Sequence, residues 1–300
     1  MAKVFLTKRI EFSASHRYQN DAWDAARNRA VFGACNNEPG HGHNYLLEVT
    51  LAGEVDADTG MVVNLYDLKQ VLKQVLEEFD HKHLNLDTPY FKGTIPTTEN
   101  IAGVLWRMLA ARPDIGPLEK IRLFEDEDLF AEITAADVRG GGPEIARASV
   151  TRQYYFSAAH RAHSGQLSAA ENRRLYGKCD SPSAHGHNYE LSVRVRGEIN
   201  PDTGMVTDIP TLDRLVQELV VRRFDHQDLN RDPDFSARVP TGENLTRLIW
   251  KRLAGSIPAA RLDRIGLVET RGSSYAYLGE AGEGALPGGR AVRARRPVNS

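Results

Sequence analysis

The chain repeats itself, and the repeat limits what it can fold into more than any other feature. Phe12-Ser13-Ala14-Ser15-His16-Arg17 returns as Phe156-Ser157-Ala158-Ala159-His160-Arg161, an offset of 144 residues. At the same offset Cys35 returns as Cys179, His41 as His185, His43 as His187, and Gly60-Met61-Val62 as Gly204-Met205-Val206. Phe79-Asp80-His81 returns as Phe224-Asp225-His226 at 145, a one-residue slip. The offset is again 144 for Glu99 with Glu243 and for Glu125 with Glu269. A period this long is not that of a solenoid, so each copy is expected to bury a core of its own. The expected division is a first module over 1–136, a linker over 137–148, a second module over 149–280 and a tail over 281–300. Gly140-Gly141-Gly142-Pro143 breaks any regular element in the linker. The Gly/Pro/Arg-rich tail reads as a solvated, mobile segment, and contact of its arginines with phosphate or an acidic surface is the alternative.

Within each copy the hydrophobic pattern changes period. Residues 3–13 and 149–158 alternate as strands do. Tyr45, Leu47, Val49 and Leu51 share one face, as do Tyr189, Leu191, Val193 and Val195, which marks a half-buried antiparallel strand. Leu65, Leu68, Leu72, Val75, Leu76 and Phe79 then follow helical spacing, matched by Ile209, Leu212, Leu215, Val216, Leu219 and Val220. A second helix carries Ile101, Val104, Leu105, Met108 and Leu109, with Thr97, Thr98 or Thr241 as N-cap candidates. Two short strands close each copy, at 119–125 with 129–134 and at 263–269 with 274–279. The expected class is α+β: two tandem modules, each an antiparallel four-stranded sheet with two helices on one face.

Composition mainly excludes. A net charge of −2 gives no reason to expect nucleic acid or a membrane surface as partner. No apolar run reaches the roughly 18 residues of a membrane helix. The opening MAKVFLTKRIEF lacks a signal peptide's apolar core and cleavage site, so a cytoplasmic protein is expected. Two cysteines in a reducing compartment do not argue for a disulfide.

His41-Gly42-His43 and His185-Gly186-His187 put imidazoles at i and i+2, which point the same way on a strand. His16 and His160, each ending an alternating run, supply a third. An isolated His-x-His is a weak signal. Yet eight of the ten histidines fall at four matched positions, and only His83 and His163 are unmatched. Three neutral imidazoles suit a tetrahedral zinc ion with one position left open, so one Zn²⁺ per module and two per chain are expected.

Cys35 and Cys179 each precede the first of these paired histidines by six positions, across loop residues. Such a thiol is either a fourth ligand closing a structural site or a catalytic base. Asp80-His81 and Asp225-His226 end the first long helix of each copy, as a catalytic pair or as a cation at a helix C-terminus. Glu125 and Glu269 each end an apolar strand, where a buried carboxylate needs donors. Two parallel N–H groups of a guanidine-like heterocycle edge would serve, and so would a structural ion pair.

Phe32-Gly33-Ala34-Cys35-Asn36-Asn37 and Gly40-His41-Gly42-His43-Asn44-Tyr45 resemble the core of the 6-pyruvoyl tetrahydropterin synthase family. The similarity continues through Gly60-Met61-Val62, Asp80-His81-Lys82, Pro89-Tyr90-Phe91 and Thr97-Thr98-Glu99-Asn100, and covers most of both halves. The resemblance implies the tunnelling fold, with sites at subunit interfaces, and a homo-oligomer in which three fused chains replace a hexamer of modules. It implies zinc on His16, His41 and His43, proton transfer by Cys35 with Asp80 and His81, and a pterin held by Glu125 near Glu99. The second copy would use His160, His185, His187, Cys179, Asp225, His226, Glu243 and Glu269. The implied reaction is a lyase step on a dihydropterin triphosphate. Ala34 stands where copy two has Lys178, and Gly242 where copy one has Thr98, which leaves room for unequal halves. The related 6-carboxytetrahydropterin synthases share the zinc histidines but have a shorter Cys-to-His spacing. An idle metal-binding assembly module is the reading of another class, and retention of the whole residue set in both copies opposes it.

Overall fold

The computed structural model describes residues 3–139 and 144–280. The glycine-rich break at 140–143 and the tail at 281–300 lie outside the described residues. The chain divides into two compact units: Met1–Tyr154 with Arg194–Leu212, and Tyr155–Val193 with Asp213–Ser300. A stretch of the second sequence copy therefore belongs to the first unit.

In the first unit, strand β1 (Val4–His16) is followed by helix α1 (Ala25–Phe32), strand β2 (His41–Gly53) and helix α2 (Leu65–Leu76). The two-residue strand β3 (Lys82–His83), a single helical turn α3 (Leu84–Asp87) and helix α4 (Thr98–Ala110) come next. Strands β4 (Leu118–Phe124) and β5 (Leu129–Thr134) complete the copy. β1 and β2 pair antiparallel from Val4↔Gly53 to His16↔His41. β4 pairs with β2, and β5 with β4, both antiparallel. β3 runs parallel to β1 through Ala14↔Lys82, so the sheet is mixed, and α1 adds a third helix, where four antiparallel strands and two helices were expected. Residues 149–152 of strand β6 (Ala148–His160) pair with β5, also inside this unit.

One face of the sheet is the core. Tyr45, Leu47, Val49, Leu51, Ile121 and Leu123 are fully buried against Leu68 and Leu72 of α2 and Ile101, Leu105 and Leu109 of α4. Each such side chain contributes about 1.5–3 kcal/mol. The other face carries charges in register: Arg9 opposite Glu48, Glu48 opposite Arg122, and Arg122 opposite Glu132. Their ion pairs measure 2.6, 3.4 and 2.7 Å. Copy two has Gln153, Ser192, Gly266 and Ala276 there, so this ladder belongs to the first copy alone.

The α2 helix stops at Leu76, earlier than its apolar spacing implies. The N–H groups of Phe79 and Asp80 both turn back to the Leu76 carbonyl. Asp80 and His81 thus lie in a turn, with His81 at φ 57°. Leu65, expected on the core face, is exposed.

After β6 the chain runs through helix α5 (Ala169–Tyr176), strand β7 (His185–Gly197), helix α6 (Ile209–Val216) and helix α7 (Arg222–Phe224), of which β7 beyond Val193 and α6 up to Leu212 belong to the first unit and the rest to the second. Strand β8 (Gln227–Asp228), helix α8 (Gly242–Leu253) and strands β9 (Arg261–Thr270) and β10 (Ser273–Tyr277) complete it. The order is β10-β9-β7-β6, with β8 parallel to β6. Between α6 and α7, residues Gln217–Val221 form a π-helical turn. A π turn holds one residue more than an α turn. This is where the extra residue behind the 145 offset is accommodated. Among the described residues no helix is long and apolar enough to cross a membrane.

Candidate active sites

Register alone assembles the first histidine set. His16 ends β1 directly opposite His41, which starts β2, and His43 follows two positions on along β2. Their donor nitrogens all lie within 4.8 Å of one another. His16 Nε2 and His41 Nε2 are 3.2 Å apart. Two nitrogens on one tetrahedral zinc ion would be about 3.3 Å apart. His16 Nδ1 donates to the Pro96 carbonyl at 2.8 Å, which leaves Nε2 as the lone-pair nitrogen. Burial, chiefly, lowers the His16 pKa to about 3, helped by the neighbouring imidazoles and opposed by the Pro96 carbonyl. Burial and His43 lower that of His41 too, against Glu125. His43 Nε2 is buried without a hydrogen-bond partner. Neutral rings, a fixed tautomer and an orphaned nitrogen fit a divalent metal ion.

The second set matches. His160 ends β6, His185 and His187 lie on β7, and their donor nitrogens fall within the same 4.8 Å limit. His160 Nδ1 meets the Pro240 carbonyl at 2.6 Å, and His160 Nε2 is orphaned. His185 and His187 are pushed toward the neutral form, mainly by burial.

Each carboxylate predicted from strand ends stands beside its triad, but the two are held differently. Glu125 Oε1 is 3.5 Å from His43 Nε2. Its other oxygen accepts from Tyr18 Oη at 3.3 Å and from the Thr98 hydroxyl. Thr98 is therefore a helix residue aimed at the site, while Thr97 is the N-cap, accepting from Asn100 N–H. Glu269 Oε1 lies 3.7 Å from His160 Nε2 and 3.9 Å from His187 Nε2. It accepts from Tyr189 Oη at 3.3 Å, and Glu269 Oε2 accepts from Tyr275 Oη at 3.2 Å. A Cβ at Gly242 would meet the Tyr275 ring at 2.1 Å. Copy two thus exchanges Thr98 and Tyr18 for Gly242, Ala162 and Tyr275. The glycine gives the tyrosine room, and each carboxylate keeps two hydroxyl donors. Neither Tyr18 nor Tyr275 stood out in the sequence, because they are not repeat partners.

Cys35 packs against Tyr18, Phe32, Ile95 and Met205. Burial, chiefly, and then Glu125 raise its thiol pKa. Cys179 is exposed. Neither thiol joins a triad, so the metal group among the described residues is three imidazoles. Asp80 and His81 pair with each other at 3.0 Å, and Asp80 accepts from Ser13 N–H at 2.9 Å. Ser13 points away from the face that carries Phe12, Ala14 and His16. The structure does not bring this pair to the triad of its own unit; the same holds for Asp225 and His226, which sit on Ser157. Hydrogen bonding from Ser13 and Ser157, chiefly, holds both aspartates below the usual carboxylate range. A cavity of about 820 Å³ in the first unit is bordered by Arg17, Glu38, Pro39, His83 and Lys92. Its two fixed cations were not singled out from the sequence, because one Arg and one Lys far apart in the chain carry no local signal.

Glu99 is 5% exposed, and its Oε1 accepts from Val206 N–H at 2.8 Å. Burial, chiefly, raises its pKa to about 7, with Glu125 adding and the Val206 N–H and Thr97 opposing. The folded state thus prefers the neutral acid. Stability present near pH 4.5 is lost as pH rises through 7, on the order of 3 kcal/mol. Glu99→Gln, neutral throughout, is expected to be more stable than the parent at pH 8 by about that amount and within about 1 kcal/mol at pH 5. Urea unfolding at both pH values reads the difference; equal midpoints at pH 8 would remove the buried-acid account.

Comparison with known proteins shows the family. The family model described as 6-pyruvoyl tetrahydropterin synthase matches twice, over 5–136 and 149–280. A 6-pyruvoyl tetrahydrobiopterin synthase of Poecilia reticulata is 41% identical over 146 residues, 48% of this chain and 99% of the relative. The Homo sapiens protein of the same name is 43% identical over 124 residues, 41% of this chain and 86% of the relative. A solved structure of 6-pyruvoyl tetrahydropterin synthase from Caenorhabditis elegans is 36% identical, with a TM-score of 0.43, covering 45% of this chain and 96% of that one.

Proposed function

Because the chain belongs to the 6-pyruvoyl tetrahydropterin synthase family and is a lyase, we propose that it converts 7,8-dihydroneopterin triphosphate to 6-pyruvoyl tetrahydropterin with loss of triphosphate. The observation that carries this reading is the carboxylate beside each imidazole set: Glu125 Oε1 lies 3.5 Å from His43 Nε2 and Glu269 Oε1 lies 3.7 Å from His160 Nε2. Such a pair can grip a heterocycle's amidine edge while the side chain attached to that ring reaches the metal position.

His16, His41 and His43 would hold zinc in the first unit, and His160, His185 and His187 in the second. When bound, zinc would take the substrate's side-chain hydroxyl oxygens and make the adjoining C–H bonds more acidic. Glu125 and Glu269 accept the two N–H groups of the pterin edge, and the flanking hydroxyls keep each carboxylate oriented. Glu99 and Glu243 lie near that edge in the roles implied by the family. Cys35 and Cys179 take a proton from the side chain and return it to the ring, so the pyrazine gains two hydrogens as the side chain is oxidised. The triphosphate leaves with the C–O bonding pair, and Arg17 and Lys92, bordering the adjoining cavity, offset its charge in the first unit. Asp80-His81 and Asp225-His226 would relay protons only if another chain brings them to a site. Two free thiols suit a reducing, cytoplasmic setting.

Incubation with dihydroneopterin triphosphate and mass analysis of the product tests the reading. A tetrahydropterin that keeps its three side-chain carbons, with one triphosphate released, is expected. Release of acetaldehyde with a 6-carboxy product would assign the other branch of the family. Failure to release triphosphate would sink the lyase reading.

A further inference from the structure

The first unit is closed by a turn from the second sequence copy. The Thr97 hydroxyl donates to the Gly204 carbonyl at 2.6 Å, and Val206 N–H donates to Glu99 at 2.8 Å. Between them Met205 packs with Tyr18, Phe32 and Ile95, the cluster that also touches Cys35. A Cβ at Gly204, whose φ is +74°, would stand 2.7 Å from Asn100 and 2.9 Å from Thr97. Gly204-Met205-Val206 is thus a knob, and Ile95, Thr97 and Glu99 line its socket.

The repeat supplies one more of each. The second knob is Gly60-Met61-Val62, and the second socket is Val239, Thr241 and Glu243. The knob is already shaped. Gly60 N–H donates to Asp56 O at 2.9 Å and Asp56 N–H to Met61 O at 3.0 Å. Gly204 N–H and Asn200 N–H make the same two bonds at 2.7 and 3.0 Å. The φ of Gly60 is 69°, against 74° at Gly204. What differs is cover: Met61 is 43% exposed where Met205 is 8%. Val55, Leu65 and Tyr66 around it are exposed as well, Tyr66 by 68%. The socket is open in the same way, since Glu243 is exposed while Glu99 is buried. An exposed apolar knob and an empty socket of matching chemistry on one chain are complementary between chains.

We propose that Gly60-Met61-Val62 of one chain enters the Val239–Glu243 socket of a second copy of this chain. There Val62 N–H meets Glu243 and the Gly60 carbonyl meets the Thr241 hydroxyl. The first site is closed within the chain; the second is complete only in the assembly. The fusion therefore makes the two sites unequal in origin, and dilution opens one of them while the other stays closed.

Directed cross-linking tests the contact without any measure of turnover, so its result is independent of the proposed reaction. In a Cys35→Ser, Cys179→Ser background, Met61→Cys is placed on one chain and Val239→Cys on a co-expressed second chain of distinguishable mass. Val239 is the counterpart of Ile95, which lies in the Met205 cluster. A disulfide-linked hetero-pair is expected under mild oxidation, and little product from either variant alone. Absence of the hetero-pair, or equal linking by Met61→Cys alone, overturns the proposal. Met61→Asp is expected to lower the sedimenting mass at micromolar concentration while its far-UV circular dichroism stays that of the parent, because Met61 is exposed within its own chain. An unchanged mass also overturns the proposal.

Discussion

Replacing His41 and His43 together by alanine is expected to leave one zinc equivalent per chain instead of two and to abolish turnover at the first site. The reason lies in how the triad is built. His16 and His41 are register partners and His43 shares their face, so the set depends on β1–β2 pairing alone. Removing two of three ligands leaves His16 Nε2 with nothing to share an ion. Loss of metal polarisation is worth several kcal/mol at the transition state, roughly 10³-fold or more in rate. Whole-chain turnover would then settle at the second site's share. The matching pair, His185→Ala with His187→Ala, should give the complementary residual, and all four together should leave neither metal nor activity. Metal content by atomic emission and turnover on the same samples check this. Two equivalents retained in the His41, His43 variant would mean that the imidazoles are not the ligands. The core should tolerate the change, because the fully buried member of the set, His16, is left in place.

The second large effect is expected from the thiols. Cys35→Ala combined with Cys179→Ala should lower kcat by about 10²–10⁴-fold, the usual worth of a positioned proton-transfer group. KM should change little, since neither sulfur belongs to the carboxylate clamp or the triad. Wild-type turnover in the double variant would remove both cysteines from the mechanism. The singles should be unequal. Cys35 sits against Tyr18, Phe32 and Met205, where burial and Glu125 raise its pKa, whereas Cys179 is exposed. In dilute, dissociated chains iodoacetamide should therefore modify Cys179 first, with peptide mapping as the readout.

The parts of the molecule that could be read in advance are those built from local geometry. Period-two alternation marks β1, β2, β6 and β7, and the same alternation places His41 with His43 and His185 with His187. The N-caps Thr97 and Thr241 follow from the residues just after them. The first long helix ends before its apolar period does: Phe79 continues the period, yet its N–H bonds back to the Leu76 carbonyl. The resemblance to the family implies that Asp80 and His81 work with Cys35, and all three repeat together. The structure puts them on the other side of β1, at Ser13. Co-occurrence in a repeat shows that residues are kept together in sequence, not that they meet within one unit.

The sequence by itself determined the duplication, the α+β modules, the six imidazoles and the two strand-end carboxylates. Each of these is encoded by spacings of a few residues or by the 144-residue offset, which backbone periodicity and chain identity suffice to read. Tertiary structure decided what surrounds them. Tyr18 and Thr98 reach Glu125 across 107 and 27 residues of chain, and Tyr275 takes the place that Gly242 leaves open. The same 107-residue separation joins Glu99 to Val206. Such contacts depend on where whole strands and turns come to rest, and packing of side chains distant in sequence, not any local period, sets which of two equal copies is closed and which is left open.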